Sequence, residues 1–366
     1  RGLGDVYKRQ LCNFEGGGQK ACQPHERNSN LELLRIISMF GIVLGHFLVF
    51  GLETFDYFPM ATSWFIYMLF HSSTVIAVNC FIMISGYFGI KLEVRKVAYI
   101  YFICLFYGLG IYLVSIFTGH ATFSFKELIP IFFPLSHSYW FIIQYTYLMF
   151  FSPLLNQVVR SADPKTMNKI LFSLLLLNIY FGYIHRGSVN PDGYNVMNFI
   201  LIYLIGAYIR RYIRPAEQGK RIKYLWGYIA CTFTIFCMAL GSYLVTGHLI
   251  TMYVFGYNNP IVLLSASCIL CLFLTIRMQS RPVNRIASTM FAVYVAHSSI
   301  YLAPTLWNAA SQIGAYISSP LLVMLCFATL TLGIMIIIFP IDIIRQHLYA
   351  PIERMIKKKF NYTFEK

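Results

Sequence analysis

Charged residues are scarce in this sequence, and acidic residues are the scarcest. Only 12% of the 366 residues are charged, about half the share that is usual for a soluble domain, and 14 acidic residues stand against 29 Lys and Arg. Hydrophobic residues make up 58% of the chain and aromatic residues 17%. This composition excludes an ordinary soluble domain and predicts an all-α polytopic membrane protein.

A continuous basic stripe and a disulfide framework are also lacking. The net charge is +15, but the basic residues form short clusters between apolar runs, which argues against nucleic acid as a partner. The nine cysteines are scattered, several of them inside apolar runs. Cys268 and Cys271 form a Cys-x-x-Cys with no second ligand pair, so we expect no metal site.

The N-terminal segment lacks the apolar core of a signal peptide. We expect residues 1–29 to be a polar, disordered segment without function, and we consider a non-native origin for its first ten residues, "RGLGDVYKRQ". We predict a single transmembrane domain over residues 30–350, because no linker or internal repeat divides it. A basic cytoplasmic tail is predicted over 351–366.

Apolar runs long enough to cross a bilayer occur about ten times. Their centres lie near residues 40, 75, 108, 147, 177, 204, 235, 268, 297 and 332. The segment "ELIPIFFPLSH" (127–137) is shorter and contains two prolines, so we expect it to be interfacial or re-entrant. The sequence therefore predicts a bundle of about ten transmembrane helices.

Basic residues are distributed unequally among the connections. Fifteen Lys and Arg lie in the even-numbered connections, whereas Lys126 and Arg186 are the only ones in the odd-numbered connections. Short cytoplasmic loops are enriched in Lys and Arg. The pattern predicts that both termini are cytoplasmic.

The first span, "LELLRIISMFGIVLGHF" (31–47), contains Glu32, Arg35 and His46. Eleven residues of α-helix turn the chain to within about 20° of three full turns and rise by roughly 16 Å, so Arg35 and His46 share a face at two depths. Ionisable residues inside a membrane commonly mark functional sites. We predict that both side chains face one polar cavity.

His297 of the ninth span lies at a similar depth to His46, and His71 of the second span is a further candidate. Structural interpretations stay open for each of these residues. Glu32 and Arg35 are close enough to form an interfacial ion pair, and each histidine is also compatible with a buried, hydrogen-bonded core residue.

Four segments in this order resemble the acyltransferase-3 family of integral membrane acyltransferases. The first is the Arg-x10-His pattern of Arg35 and His46, and the other three are "NCFIMISGYF" (79–88), "YWFIIQYTYLMFFSPLLN" (139–156) and "STMFAVYVAH" (288–297). The chain departs from some relatives near the second connection, where it has Lys91, Arg95 and Lys96 in place of two arginines spaced three apart.

The resemblance implies an acyl-CoA donor, usually acetyl-CoA, and a hydroxyl acceptor on an envelope carbohydrate or lipid-linked glycan, at a bacterial plasma membrane. On this basis we expect His46 to act as general base, with an acyl-histidine relay as a variant. Arg35, oriented by Glu32, would contact the donor, as would Arg95 and Lys96, although the positive-inside pattern also explains the last two.

His297 would hold the tautomer of His46 or contact the acceptor. A transporter, or a pore that passes acyl groups to another enzyme, is the alternative function. Intramembrane ionisable residues favour it, and the lack of an inverted repeat argues against it.

Overall fold

The computed structural model describes residues 28–54, 61–134, 139–185, 191–215 and 219–361, and all the regular elements within these ranges are helical. The α-helices, in chain order, are α1 (Ser29–His46), α2 (Thr62–Thr74), α3 (Ala77–Phe88), α4 (Val94–Phe117), α5 (Phe125–Phe132), α6 (Trp140–Ser161), α7 (Pro164–Leu177), α8 (Val196–Tyr208), α9 (Arg221–Thr246), α10 (Thr251–Phe255), α11 (Pro260–Leu274), α12 (Arg281–Ala287), α13 (Met290–His297), α14 (Ala303–Tyr316) and α15 (Pro320–Asn361).

Eight helical segments of the described chain are long and apolar enough to cross a membrane. They are Ser29–Gly51, Thr62–Phe88, Val94–Phe117, Pro164–Ile184, Val196–Ile213, Arg221–Thr246, Thr251–Leu274 and Pro320–Lys359. Each contains one of the ten predicted centres. The prediction of an all-α polytopic membrane protein is confirmed.

The two remaining centres lie in helices of a different kind. The centre near 147 lies in α6, whose 22 residues extend over about 33 Å although its apolar run is interrupted by polar side chains. The centre near 297 lies where the helix ends, because α13 stops at His297 and the chain resumes a helix only at Ala303, with Pro304 in its first turn. A proline there needs no backbone N–H, so it favours a new helix start.

Helix α1 lies at the centre of the bundle. It contacts α2, α3, α11, α12, α13 and α15. Leu31, Val43 and Leu44 are almost fully buried along its length. The polar residues of α1 therefore face protein on several sides.

Helices α3 and α8 approach each other at backbone distance. A Cβ at Gly86 would collide with the carbonyl of Tyr203, and a Cβ at Gly206 would collide with the carbonyl of Met83. Small residues permit this approach between membrane helices. The reciprocal contacts hold α3 and α8 as a tightly packed pair.

Hydrogen bonds join the even-numbered connections at one end of the bundle. Arg210 donates to the carbonyl of Tyr87 at 3.1 Å, and Tyr212 donates to the carbonyl of Ala162 at 3.1 Å. We call this the basic end of the bundle. Its assignment to the cytoplasm stays a prediction.

Both chain ends of the described region reach the basic end. Near the N-terminus, the hydroxyl of Ser29 accepts a hydrogen bond from the backbone N–H of Ser280 at 2.9 Å. Near the C-terminus, Tyr349 donates to the carbonyl of Arg95 at 2.9 Å. The first described helix therefore begins on the side of the bundle where Tyr349 of α15 lies.

The division into an N-terminal segment, a transmembrane domain and a basic tail stays a prediction. Residues 1–27 of the predicted N-terminal segment lie outside the described residues. The predicted tail begins inside α15, which continues without interruption to Asn361. In the predicted interfacial segment, α5 is a helix of 8 residues with Pro130 inside it, too short to span a membrane.

Candidate active site

His46 and His297 meet inside the bundle. His46 is the last residue of α1, and the chain continues as a π-turn from Phe47 to Gly51. His297 ends α13 and is fully buried. The Nε2 atom of His297 lies 3.1 Å from Nδ1 of His46. The structure thus brings together two histidines that are 251 residues apart in sequence.

The hydrogen-bond partners determine the tautomers of this pair when both rings are neutral. Nδ1 of His297 lies 2.8 Å from the carbonyl oxygen of Val293, which can only accept, so Nδ1 carries the proton. Nε2 of His297 is then an acceptor, and Nδ1 of His46 donates to it. Nε2 of His46 is therefore left with its lone pair, ready to accept a proton.

Aromatic rings pack against the His46 imidazole. The ring centroid of Phe50 lies 5.3 Å away and that of Trp307 lies 5.8 Å away, both in edge-to-face geometry. Phe50 and Trp307 also contact each other at 5.4 Å. These rings restrict the rotation of His46 and so support its hydrogen bond to His297.

Predicted site residues line two cavities of the structure. The first, which we call the histidine cavity, has a volume of about 290 Å³. His46 and His71 line it from α1 and α2, and Asp192, Tyr194 and Tyr257 line it from the connections on the opposite side. The rings of Tyr194 and Tyr257 lie 4.9 Å apart. Phenol rings beside one carboxylate suit an uncharged polar ligand.

The second cavity, which we call the arginine cavity, has a volume of about 220 Å³ and lies towards the basic end of the bundle. Glu32, Arg35, Lys96 and Tyr99 are among its lining residues. Nη1 of Arg35 lies 3.0 Å from both carboxylate oxygens of Glu32. The guanidinium of Arg35 and the ammonium of Lys96 can both bind an anionic ligand in this cavity.

Ser85 and Tyr145 form another polar contact at the wall of the arginine cavity. Their hydroxyl oxygens lie 3.2 Å apart. Ser85 therefore has a polar role in addition to the close helix packing at its neighbour Gly86.

Arg95 and Lys96 are neighbours in sequence but have different surroundings. Lys96 lines the arginine cavity and lies 3.4 Å from the carboxylate of Glu93. Arg95 forms ion pairs with Glu93 and, at 3.7 Å, with Glu353 of α15. Burial alone would raise the pKa of Glu93, but its contacts with Arg95 and Lys96 outweigh burial and lower it. The geometry favours Lys96 over Arg95 as a contact for a ligand in the arginine cavity.

Arg35 and His46 line different cavities within the described structure, whereas we had expected one polar cavity for both. They lie roughly 16 Å apart along α1. A series of contacts between aromatic rings leads from the arginine cavity to the histidine pair. Phe141 lines the arginine cavity, and its ring lies 5.5 Å from that of Tyr294. The ring of Tyr294 in turn lies 5.9 Å from His297. We call Phe141 and Tyr294 the aromatic partition.

The comparison with known families decides the identity of this bundle. A family model described as an acyltransferase domain, that of the acyltransferase-3 family, matches residues 28–339. The chain belongs to the acyltransferase-3 family. This acyltransferase-3 protein is a membrane acyltransferase, as the resemblance implied. No curated protein and no solved structure matches the chain.

Sequence reasoning missed several residues that line the two cavities of this acyltransferase-3 protein. Asp192, Tyr194 and Tyr257 of the histidine cavity lie in connections, where no periodic pattern indicates which side chains turn inward. Tyr99 of the arginine cavity is one of 27 tyrosines in a strongly aromatic chain. Asp192 has a left-handed backbone, with φ of 64°. The glycine that follows it, Gly193, is the one sequence feature that could have indicated this backbone conformation.

No group of three His, Cys, Asp or Glu residues in the described part of the chain is arranged to hold a metal ion. Cys268 and Cys271 lie on α11, one of them buried, without a histidine or carboxylate beside them in such a group.

Proposed function

We propose that this acyltransferase moves an acyl group, most often acetyl, from acyl-CoA in the arginine cavity to a hydroxyl of an envelope carbohydrate in the histidine cavity. The observation that carries the proposal is the hydrogen-bonded series Val293–His297–His46. It leaves Nε2 of His46 as a proton acceptor beside a cavity.

His46 would act as the general base. The acceptor hydroxyl oxygen bonds to the thioester carbon, the carbon–sulfur bond breaks, and the hydroxyl proton passes through Nε2 of His46 to the departing CoA sulfur. A neutral imidazole suits both proton transfers, because its Nε2 lone pair accepts a proton and the resulting cation can release it. His297 would hold the reactive tautomer, as a positioning residue.

The charges of the arginine cavity support its assignment to the donor. Arg35 can bind phosphate oxygens with two parallel hydrogen bonds, and Glu32 fixes the guanidinium for this contact. Lys96 adds a second cation. If the basic end faces the cytoplasm, as the distribution of Lys and Arg predicts, this cavity opens towards the compartment that contains acyl-CoA.

The aromatic partition lies between the proposed donor and acceptor positions. The thioester end of the donor would have to pass Phe141 and Tyr294 to reach His46. Side-chain rotation of these rings is a small rearrangement, and it would keep water away from the thioester until the donor is in place.

A plasma-membrane location in bacteria and a glycan acceptor follow from the family resemblance. The phenol rings and the carboxylate of Asp192 in the histidine cavity support a polyhydroxylated acceptor, because such groups bind hydroxyls and sugar faces. Family membership favours transfer chemistry over a transporter. An acyl-histidine relay would use the same Nε2 atom as nucleophile.

The test uses the full-length protein in membranes or nanodiscs, with acetyl-CoA and envelope glycan as substrates. We expect ester-linked acetyl on the glycan and a release of CoA that depends on it, and we expect His46→Ala to lower the rate about 10²- to 10⁴-fold. His347→Ala, at an exposed histidine of α15, is the matched control. If His46→Ala transfers acetyl at the wild-type rate and at equal protein abundance, His46 is not the base. If the wild-type protein leaves acetyl-CoA intact, the result favours a transporter.

A further inference from the structure

A fully buried ion pair lies on α15, beyond the segment that the family model matches. Nε of Arg345 lies 2.6 Å from Oδ1 of Asp342, and Nη2 lies 3.2 Å from Oδ2. Gln346 donates to the same Oδ2 at 2.8 Å. Both charged side chains have no exposed surface. The mechanism proposed above does not use this pair.

A contribution to stability alone does not readily explain why an ion pair is buried here. The cost of removing two charges from solvent commonly cancels their attraction, so apolar residues of similar volume are often as stable. Nη1 of Arg345 is buried and has no hydrogen-bond partner among the described residues. Ionisable residues that are buried within a membrane-spanning helix are candidates for a functional role.

Arg345 also contacts a residue of the arginine cavity. Nη2 of Arg345 donates to the hydroxyl oxygen of Tyr99 at 2.8 Å, and the guanidinium carbon lies 4.7 Å from the centre of the Tyr99 ring. Tyr99 lines the arginine cavity together with Arg35 and Lys96. The buried pair is therefore connected to the proposed donor site through one phenol.

The direction of this hydrogen bond determines whether the hydroxyl of Tyr99 can still donate. A guanidinium has donors and no acceptor, so the oxygen of Tyr99 must accept, and its own O–H remains to be donated. No hydrogen bond between described residues uses that O–H as donor. A nearby cation makes a phenol O–H a stronger donor.

We propose that Tyr99 binds the acyl donor by donating this O–H to a phosphate oxygen, with Arg345 and Asp342 as positioning residues. Tyr99 then adds a neutral donor to the cations Arg35 and Lys96. The inference depends on the proposed function, since it assumes that the donor occupies the arginine cavity.

The experiment measures the binding of coenzyme A to the purified full-length protein. Tyr99→Phe removes the hydroxyl and keeps the ring, and we expect its Kd for coenzyme A to rise about tenfold, the usual effect of losing a hydrogen bond to a charged group. Pantetheine, which has no phosphate, should bind to the variant and the wild type equally. An equal loss of affinity for pantetheine would overturn the phosphate contact.

Tyr107→Phe is the matched control. Tyr107 is buried and donates to Oδ1 of Asp342 at 3.3 Å, but it is not among the lining residues of the arginine cavity. We expect its affinity for coenzyme A to equal that of the wild type. If both variants lose affinity equally, the cluster has a structural role and the inference is wrong.

A double-mutant cycle tests the positioning role. Arg345→Gln should weaken coenzyme A binding in the wild-type background and have no further effect in Tyr99→Phe. If Arg345→Gln does not fold, the comparison of Tyr99→Phe with Tyr107→Phe still decides the role of Tyr99. If wild-type protein does not bind coenzyme A at all, the proposed function fails; if it binds and Tyr99→Phe binds equally, only the further inference fails.

Discussion

The two cavities hold their polar groups in contrasting ways. In the arginine cavity, Arg35 is paired with Glu32 and Lys96 with Glu93, so fixed charges dominate. In the histidine cavity, His46 is held through His297 by a backbone carbonyl, and the lining includes two phenol rings and the carboxylate of Asp192. The first arrangement suits a charged ligand, whereas the second suits hydroxyl groups and proton transfer. The contrast supports separate sites for donor and acceptor in one bundle.

The first of these predictions, with the largest expected effect, tests whether the hydrogen bond to His297 keeps Nε2 of His46 as the proton acceptor. His297→Leu removes the acceptor for Nδ1 of His46, so the imidazole can rotate and change tautomer, and we expect kcat to fall about 100-fold. His297→Gln offers a carbonyl oxygen as acceptor and an NH₂ group as donor, so it should retain much more activity than His297→Leu. Steady-state kinetics with acetyl-CoA provides the measurement. Equal activity of the two variants would show that the hydrogen bond does not matter.

The second prediction tests the charge of the arginine cavity. Arg35→Gln removes a guanidinium from the proposed phosphate contact, and we expect KM for acetyl-CoA to rise about 10- to 100-fold with a smaller change in kcat. Arg160→Gln removes an exposed charge at the basic end and serves as the control. His46→Ala should bind coenzyme A as the wild type does. A loss of coenzyme A binding in His46→Ala would contradict the separation of the two sites.

The smallest effect concerns the carboxylate of the histidine cavity. Asp192→Asn keeps the size of the side chain, and Asn tolerates the left-handed backbone at φ of 64°. We expect KM for the glycan acceptor to rise about fivefold, because a hydrogen bond to a neutral group is weaker than one to a carboxylate. KM for acetyl-CoA should stay constant.

The control for this change is Asp163→Asn. Asp163 caps the N-terminus of α7 through a 3.1 Å hydrogen bond from the backbone N–H of Thr166, and Asn caps a helix equally well. If Asp163→Asn changes acceptor KM as much as Asp192→Asn does, the effect of Asp192 is not local to the cavity.

The sequence predicted the parts of this molecule that repeat along a helix. Hydropathy located the spans, and the 3.6-residue period of α1 indicated that Arg35 and His46 share a face. The Glu32–Arg35 pair follows from their spacing of three residues, and the structure contains it. The proximity of His297 to His46 was expected from their similar depth and from the family resemblance.

The remaining features depend on contacts between distant segments. The contact between the rings of Phe141 and Tyr294, near the two cavities, joins residues that are 153 positions apart in the printed sequence. The apolar run near 297 concealed the end of α13, because hydropathy does not detect where backbone hydrogen bonds stop. Connections such as that of Asp192 have no periodicity from which orientation can be read.

The reciprocal glycine contacts of α3 and α8 limit where this protein can move. With the backbones of Gly86 and Tyr203 in direct apposition, and those of Gly206 and Met83 likewise, neither helix can slide along the other without collision. We therefore infer that α3 and α8 move together as one unit. A passage between the two cavities would then open through movement of other helices.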